Sequence, residues 1–447
     1  MAVAVIILAA GMGTRMQSDM PKVLHPIAGA SMLVHALKAG AALQPARTIV
    51  VAGPGAAAVE KVAKAYDTDV QVVVQGEQLG TAHAVAQTRD ALAGFQGDIV
   101  VLYGDTPFIR AETLAAMTAA RLTHDVVVLG FDAADPGRYG RLVMNGGLLA
   151  RVVEYKDADA DERAITLCNS GVLAADAQTL FDLIDSVGRN NAAGEYYLTD
   201  VVGLAKARGL TATVVTCAEA ETLGINSRAE LAGAEAQFQA QARAAALANG
   251  VTLTASDTVY FAHDTVIGRD AVVEPHVIFG PGVTVESGAQ IRAFSHLEGC
   301  HVSRGAVIGP YARLRPGAEL AENVKVGNFV EVKNAQVAGG AKINHLSYVG
   351  DATIGAGSNI GAGTITCNYD GVFKHRTVIG ENAFIGSNTM LVAPVTVGDD
   401  AMTGSGSVIT QDVPAGDLAL ARARQQNKAG FARRLFAKLR ELKAKGQ

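Results

Sequence analysis

From Ile267 onward, apolar residues recur every six positions: Ile267, Val273, Phe279, Val285, Ile291 and Leu297. The series restarts in a new phase at Ile308, Leu314, Leu320, Val326 and Val332, then runs through Ile343, Val349, Ile354 and Ile360. After an interruption it resumes at Ile379, Ile385, Leu391 and Val397. No amphipathic helix has period six, and a flat strand has period two. A six-residue repeat places one inward side chain on each face of a prism, with a short strand per face and tight corners between faces. The C-terminal half is therefore expected to be a parallel β-helix. Glycine often follows the apolar position, as in Ile267-Gly268, Ile308-Gly309 and Val326-Gly327. An aromatic content of 5%, no Trp and 49 glycines suit such narrow coils.

The interruption, residues 366–377, cannot fit inside a regular solenoid. It must loop outward, and such loops often sit on a binding face. The basic end, residues 422–447, reads either as a solvated capping tail or as cations near an anionic ligand.

The first half has a different rhythm. Short apolar runs at 3–8, 48–52, 70–75, 99–102 and 126–131 alternate with helical patterns at 32–43, 81–92 and 111–121. Alternating βα units imply a doubly wound, Rossmann-like α/β sheet with ligands at the carboxyl ends of its strands. Ser227 and Glu230 have capping-box spacing, and an Ala-rich stretch follows to Asn249-Gly250. The expected organisation is an α/β domain over 1–226, a connecting helix over 227–249, and a β-helix over 250–447.

A formal net charge of −5 argues against a nucleic-acid partner. No apolar run reaches the length of a membrane span, and the first ten residues lack the basic region of a secretory leader. The cysteines at 168, 217, 300 and 367 are too scattered for a zinc knuckle or a disulfide framework. A reducing cytoplasm is the expected compartment.

Leu8-Ala9-Ala10-Gly11-Met12-Gly13-Thr14-Arg15 follows the first strand. Its glycines let backbone N–H groups approach phosphate oxygens, and Arg15 and Lys22 add cations. It is neither a Walker loop nor a dinucleotide fingerprint. Gln75 and Gln78-Leu79-Gly80-Thr81 lie at a second strand end, where an amide could read a base edge. Tyr103-Gly104-Asp105 ends a third strand, with the carboxylate placed to hold Mg²⁺. In the β-helix, His345 stands near the interrupting loop in coil register, with Arg315, Lys333, Tyr348, Asn359 and Asn368-Tyr369 on neighbouring turns.

Together these motifs resemble the sugar-1-phosphate nucleotidyltransferases. With the hexapeptide β-helix they resemble, over residues 3–424, the bacterial bifunctional N-acetylglucosamine-1-phosphate uridyltransferase/glucosamine-1-phosphate acetyltransferase family, the GlmU family. The resemblance implies a cytoplasmic enzyme that uses UTP, acetyl-CoA and Mg²⁺. It implies a left-handed β-helix and a homotrimer whose acetyl sites are shared between subunits. Small molecules are the implied partners, with no nucleic acid and no membrane. Gly11, Gly13, Arg15 and Lys22 would hold UTP phosphates, with Leu8, Ala9, Ala10 and Thr14 also in the UTP and UDP-sugar pocket; Gln75, Gly80 and Thr81 would hold uracil. Tyr103, Gly104, Gly140, Glu154, Asn169 and one of Tyr196 and Tyr197 would line the rest of the UDP-sugar pocket, with Asp105 and Asn226 on Mg²⁺. His345 would be the base of acetyl transfer. Arg315, Lys333, Tyr348 and Asn359 would bind the amino-sugar phosphate. Ala362, Asn368, Tyr369, Ser387, Ser405, Arg422 and also Arg424 would meet acetyl-CoA. Two positions depart from the family pattern: Ala82, where some relatives have glycine, and Ser405, where others have alanine. The tail beyond Arg424 matches poorly.

Two alternatives remain at this point. One is a single-activity sugar-1-phosphate nucleotidyltransferase with a purely structural β-helix, which the cluster around His345 disfavours. The other is a non-catalytic scaffold, which the intact Gly-x-Gly-Thr-Arg loop, Asp105 and Asn226 disfavour.

Overall fold

The computed structural model describes residues 2–11, 13–53 and 55–446, so Met12 of the first-loop motif lies outside them. The chain divides into two units, Met1–Ala242 and Arg243–Gln447.

Among the described residues, the main sheet of the first unit has nine strands: β1 (Val3–Ala9), β2 (Arg47–Ala52), β3 (Gln71–Val74), β4 (Asp98–Tyr103), β5 (Val126–Asp132), β6 (Arg141–Asn145), β7 (Leu148–Val153), β8 (Leu167–Asp176) and β9 (Ala212–Thr216). Their order is β9-β5-β8-β4-β1-β2-β3, with β6 paired to both β7 and β8. Strand β1 lies parallel between β2 and β4, and its core residues Val5, Ile6 and Ile7 are fully buried. Burial on both faces explains the unbroken apolar run. The sheet is mixed rather than uniformly parallel, because β8 runs antiparallel to β4 and β5. It enters from the β6–β7 hairpin rather than from a crossover helix, so no parallel return is imposed. Register pairs Leu8 with Tyr103 and Ala9 with Ala52, which aligns the carboxyl ends of β1, β2 and β4 along one edge.

The helix expected over 81–92 ends early, at Ala86. Thr88 N and Arg89 N donate to Val85 O and Ala86 O, a tighter i→i−3 pattern, and the Thr88 hydroxyl caps Val85 O at 2.7 Å. A long helix spans Arg228–Ala248. At its start Ser227 Oγ accepts from Glu230 N at 3.3 Å, and Glu230 Oε2 accepts from Ser227 N at 3.0 Å. Leu231, Ala234 and Phe238 pack with Ile27, Met32 and Ile225 of the first unit.

In the second unit, two-residue to seven-residue strands stack in parallel to form a ten-stranded and a fourteen-stranded sheet among the described residues. Every residue of the six-residue series is buried except Ile267, which is half-buried near the solenoid's start. The phase breaks have a simple origin. Ile267 pairs with Val285 eighteen residues on, but Val285 pairs with Val302, Leu320 with Val337 and Val337 with Ile354 only seventeen on. One corner of each of those coils is a residue shorter. Ile354 pairs with Ile379, and the extra residues of that coil form the projecting loop. Some inward positions are hydroxyls: Thr366 and Thr403 are buried, and Thr364 and Thr389 donate to Gly361 O and Gly386 O at 2.7 and 2.6 Å. One corner carries a ring ladder, His276, Phe294, Tyr311 and Phe329, with successive centroids 4.8, 4.9 and 5.3 Å apart. All four have positive φ, so ring stacking offsets a left-handed backbone that bulky residues rarely adopt.

Candidate functional sites

Each unit holds one. In the first, Leu8, Ala9, Ala10, Gly11, Lys22, Gln75, Gly80, Thr81, Tyr103 and Asp105 line a cleft of about 330 Å³ at the aligned strand ends. Val23, Gln78, Ala84 and Glu195 complete the lining. Gln78 belongs to one of the sequence motifs, but Val23, Ala84 and Glu195 carry no local signal. Gln78 donates across the cleft to Ala10 O.

The floor is polar. Lys22, only 9% exposed, directs its ammonium at Asp105 Oδ2 and lies 2.9 Å from Asn226 Oδ1. Three segments far apart in the chain thus converge on one point. A hard oxygen pair aimed at a buried cation suits a divalent ion that takes few protein oxygens and completes its shell with phosphates and water. Among the described residues no group of three or more His, Cys, Asp or Glu could hold a metal ion. Gly13 adopts φ 62°, and a Cβ there would lie 2.6 Å from Lys22 Cβ. The loop therefore needs glycine to pass over the lysine. Gly80 has φ 117°, and a Cβ would lie 2.5 Å from Tyr196 O. Gln75 Nε2 braces this turn, donating to Gly80 O at 3.1 Å, with His83 Nδ1 at 3.0 Å. Thr81 Oγ1 accepts from Leu198 N at 2.9 Å.

Gly140, Glu154 and Asn169 meet beside this cleft rather than in its wall. Asn169 N donates to Gly140 O at 2.8 Å, and Glu154 carboxylate oxygens lie 3.4 Å from where a Gly140 Cβ would stand. Burial pushes the Glu154 carboxyl up, the Thr199 hydroxyl bond opposes this, and Asp157 and Asp200 reinforce it. Burial likewise pushes the Tyr103 phenol up. Gly104 N donates to Leu8 O at 2.9 Å and ties β4 to β1. Thr14 and Arg15 are exposed on a short helical turn outside the cleft wall.

The second site is arranged as columns, one residue per coil. Asn328 pairs with His345, and Gly363 N, next to Ala362, donates to His345 O at 3.1 Å. Asn388 N donates to Ala362 O and Gly406 N to Ser387 O, at 2.7 and 2.8 Å. Arg422 Nη1 then reaches Ser405 O at 2.9 Å. His345, Ala362, Ser387, Ser405 and Arg422 therefore follow a single edge of the solenoid. Arg424 comes after them on the exposed tail. His345 Nδ1 is 2.9 Å from Asn328 Oδ1. An amide oxygen only accepts, so in the neutral imidazole this contact places the proton on Nδ1 and the lone pair on Nε2.

On the adjoining face, Glu331 pairs with Tyr348 and Lys333 with Gly350. Arg315 Nη1 donates to Glu331 Oε1 at 2.8 Å. A Cβ at Gly350 would collide with the Tyr348 hydroxyl. Asn359 lies on the face of the strand Lys342–His345, paired with Lys342 and Phe384, three residues before Ala362 on the same coil. The projecting loop starts at Asn368, which is buried, and Tyr369, which is 60% exposed. Sequence reasoning misses Asn328, Glu331, Asp351 and Lys374. Each can be found by stepping one coil, seventeen or eighteen residues, from a residue already chosen, or along the inserted loop.

Among the described residues no helix is long and apolar enough to cross a membrane. The four cysteines are free, and burial pushes the Cys217 and Cys300 thiols up to about 12, far from thiolate chemistry.

Fold and clefts define a transferase that joins a nucleotidyltransferase unit to a stack of hexapeptide coils. The MobA-like NTP transferase domain family matches residues 5–170, and the bacterial transferase hexapeptide family (six repeats) matches residues 376–411. The bifunctional protein GlmU of Ruegeria pomeroyi is 68% identical over 447 residues, covering 100% of this chain and 99% of its own. Its counterpart in Roseobacter denitrificans is 65% identical over 447 residues, with the same coverage. The chain belongs to the GlmU family of bifunctional enzymes. A solved UDP-glucose pyrophosphorylase bound to UDP-glucose aligns over 54% of this chain and 100% of its own at 17% identity, with a TM-score of 0.45.

Proposed function

We propose that the chain makes UDP-N-acetylglucosamine in two steps: acetyl transfer from acetyl-CoA to glucosamine 1-phosphate on the β-helix, then uridylyl transfer from UTP in the α/β cleft. The carrying observation is that both units hold a polar constellation, Lys22–Asp105–Asn226 in one and the His345 column beside Arg315 and Lys333 in the other.

In acetyl transfer the substrate amine arrives largely as an ammonium. His345 Nε2 takes its proton, with Asn328 holding the ring by Nδ1–H. The amine lone pair attacks the thioester carbonyl. The Ala362 N–H is the proposed donor to the resulting oxyanion; the C–S bond then breaks, and the second nitrogen proton passes to the leaving thiolate, so that CoA departs as the thiol. Arg315, Lys333, Tyr348 and Asn359 would hold the sugar phosphate. Ser387, Ser405, Arg422, Asn368 and Tyr369 would hold the coenzyme.

In uridylyl transfer a phosphate oxygen of N-acetylglucosamine 1-phosphate attacks the α-phosphorus of UTP, and the bond to the β-phosphate oxygen breaks to release pyrophosphate. The nucleophile is already an anion, so no general base is required. The barrier is charge repulsion, which the backbone amides of Gly11 and Gly13, Arg15 and Lys22 would offset. Asp105 and Asn226 would hold Mg²⁺, which when bound neutralises phosphate charge. Gln75 has its nitrogen committed to the Gly80 turn and so offers its amide oxygen to the uracil edge. Gly140, Glu154 and Asn169 would receive the sugar.

A cytoplasmic homotrimer in which neighbouring copies complete the acetyl site is part of this proposal; the exposed ring ladder offers apolar surface for such contact.

A split assay tests the reading. Wild type should release CoA from acetyl-CoA and glucosamine 1-phosphate, and pyrophosphate from UTP, Mg²⁺ and N-acetylglucosamine 1-phosphate. His345→Ala should abolish only the first reaction and Asp105→Ala only the second. Pyrophosphate release without any CoA release by wild type would reduce the β-helix to a scaffold.

A further inference from the structure

Asp351 stands on the coil between His345 and the projecting loop, in a left-handed corner at φ 49°, and is only 6% exposed. Its carboxylate is shared among three neighbours. Asn334 Nδ2 donates to Oδ1, Asn368 Nδ2 donates to Oδ2, and the Lys333 ammonium lies 3.7 Å from Oδ2. Asn334 belongs to the preceding coil, whereas Asn368 is the first residue of the loop. One buried carboxylate therefore fastens the loop base to the coil carrying Lys333. A buried charge without such partners would be strongly unfavourable. Its partners suffice: burial pushes the carboxyl up, but the bonds from Asn334 and Asn368 and the charges of Lys333 and Lys374 outweigh it and hold it below the usual carboxylate value.

Lys374 lies across the loop base, in an antiparallel bridge with Tyr369 next to Asn368, and acts on the same carboxylate. Its pKa is pushed below the ordinary lysine value by Lys333, while Asp351 and Tyr348 pull it back. Two ammonium groups brought together repel, and the Asp351 carboxylate offsets that repulsion.

We propose that Asp351 is a positioning residue for acetyl transfer: it holds Lys333 and the loop-borne Lys374 together as a two-cation grip for the phosphate of the amino sugar. The proposal rests on the acetyl-transfer reading above. The charged and titratable groups facing the grip are Lys333, Lys374, Asp351 and Tyr348. His345 acts on the amine and the grip on the phosphate, so removing the carboxylate acts on substrate binding rather than on proton transfer.

The test is CoA-release kinetics on full-length Asp351→Asn, which keeps the size and an acceptor oxygen and tolerates the left-handed corner. KM for glucosamine 1-phosphate should rise roughly tenfold, as expected when charge-assisted contacts are weakened. The kcat should stay within about twofold, and any rise in the KM for acetyl-CoA, through Asn368, should be smaller than the rise for glucosamine 1-phosphate. Inhibition by inorganic phosphate should weaken in parallel. The alkaline rise of KM should begin at lower pH than in wild type, because Lys374 loses its supporting anion. Asn334→Ala, which frees the carboxylate to swing without removing its charge, should give a smaller KM rise and serves if Asp351→Asn does not fold. A fall in Tm with KM unmoved in both variants would make Asp351 a structural tie and overturn the proposal. Wild type that releases no CoA at all would instead overturn the acetyl-transfer reading.

Discussion

The two sites are assembled by opposite strategies. In the α/β unit, segments around residues 10, 22, 75, 105 and 226 fold back to one buried focus, where an ammonium, a carboxylate and an amide meet. In the β-helix the residues stay at the surface and line up by coil register, Asn328 above His345 above Ala362. The first site depends on the whole sheet, and a fault in any crossover displaces it. The second depends on local stacking, because each coil touches only its neighbours. Damage should therefore spread within the first unit and stay local in the second.

Breaking the buried focus should have the largest effect. Lys22→Met leaves the Asp105 carboxylate, 18% exposed at its side chain, without its cation. Pyrophosphate release should fall by about 10²–10³-fold, the scale of losing one preorganised charge at a transferring phosphate. CoA release should be unchanged. An equal loss of both activities would show that the units do not act separately.

The matching cut in the solenoid is Ile343→Ala. Ile343 is fully buried on the strand Lys342–His345 that carries the imidazole. The cavity should cost about 2–5 kcal/mol and cut CoA release, while pyrophosphate release stays near wild type. Val273→Ala, which also opens a buried position but several coils away, is the distance control. It should lower Tm and leave KM for glucosamine 1-phosphate alone. Movement of that KM by Val273→Ala would mean that coils communicate over longer range than stacking predicts.

Gly80→Ala comes next. The new methyl would meet Tyr196 backbone at 2.5 Å and force a backbone at φ 117° that alanine avoids. A strain of about 1–3 kcal/mol is expected, with a lower Tm for the first unit and weaker UTP binding by calorimetry.

What could be read in advance follows from the same contrast. The period-six series marked the solenoid because the inward position repeats by geometry, and even its phase slips record coils one residue short, as between Val285 and Val302. Where an inward position is Thr366 or Thr403, apolar periodicity goes blind, since a buried hydroxyl bonded to a neighbouring coil costs little. In the first unit the loops after β1 and β4 announce themselves by glycine and charge. The reversal of β8 does not, because both its faces are as apolar as those of a parallel strand: Val172, Leu173 and Ala174 are all buried. Nor does anything local to Asp351 mark it. Its importance comes from Lys333, Asn334 and Asn368, seventeen or eighteen residues away and brought close by stacking.

The smallest expected effect concerns the exposed end of the second site. Asp370 Oδ1 accepts from Val372 N and Phe373 N at 2.8 and 2.7 Å, and Oδ2 lies 2.7 Å from His375 Nε2. The His375 bond first, then the two amides, hold its carboxyl down to about 2, below the ordinary 3.8. A carboxyl depressed in the folded state contributes order above its unfolded pKa and loses it as pH falls through the folded one. Loop order should thus be constant from pH 7 to about 4 and fade toward pH 2. Amide exchange at Val372 and Phe373, corrected for intrinsic rates, measures this directly. Asp370→Asn should speed exchange severalfold at pH 7, since a charge-assisted acceptor becomes a neutral one. The amides of the strand Lys342–His345 should not change. If wild-type protection already collapsed between pH 7 and 5, the loop would be held by something other than this carboxylate. If the strand amides changed with the loop, the loop and the coil beneath it would form one cooperative piece, and the second site would be less local than its column arrangement implies.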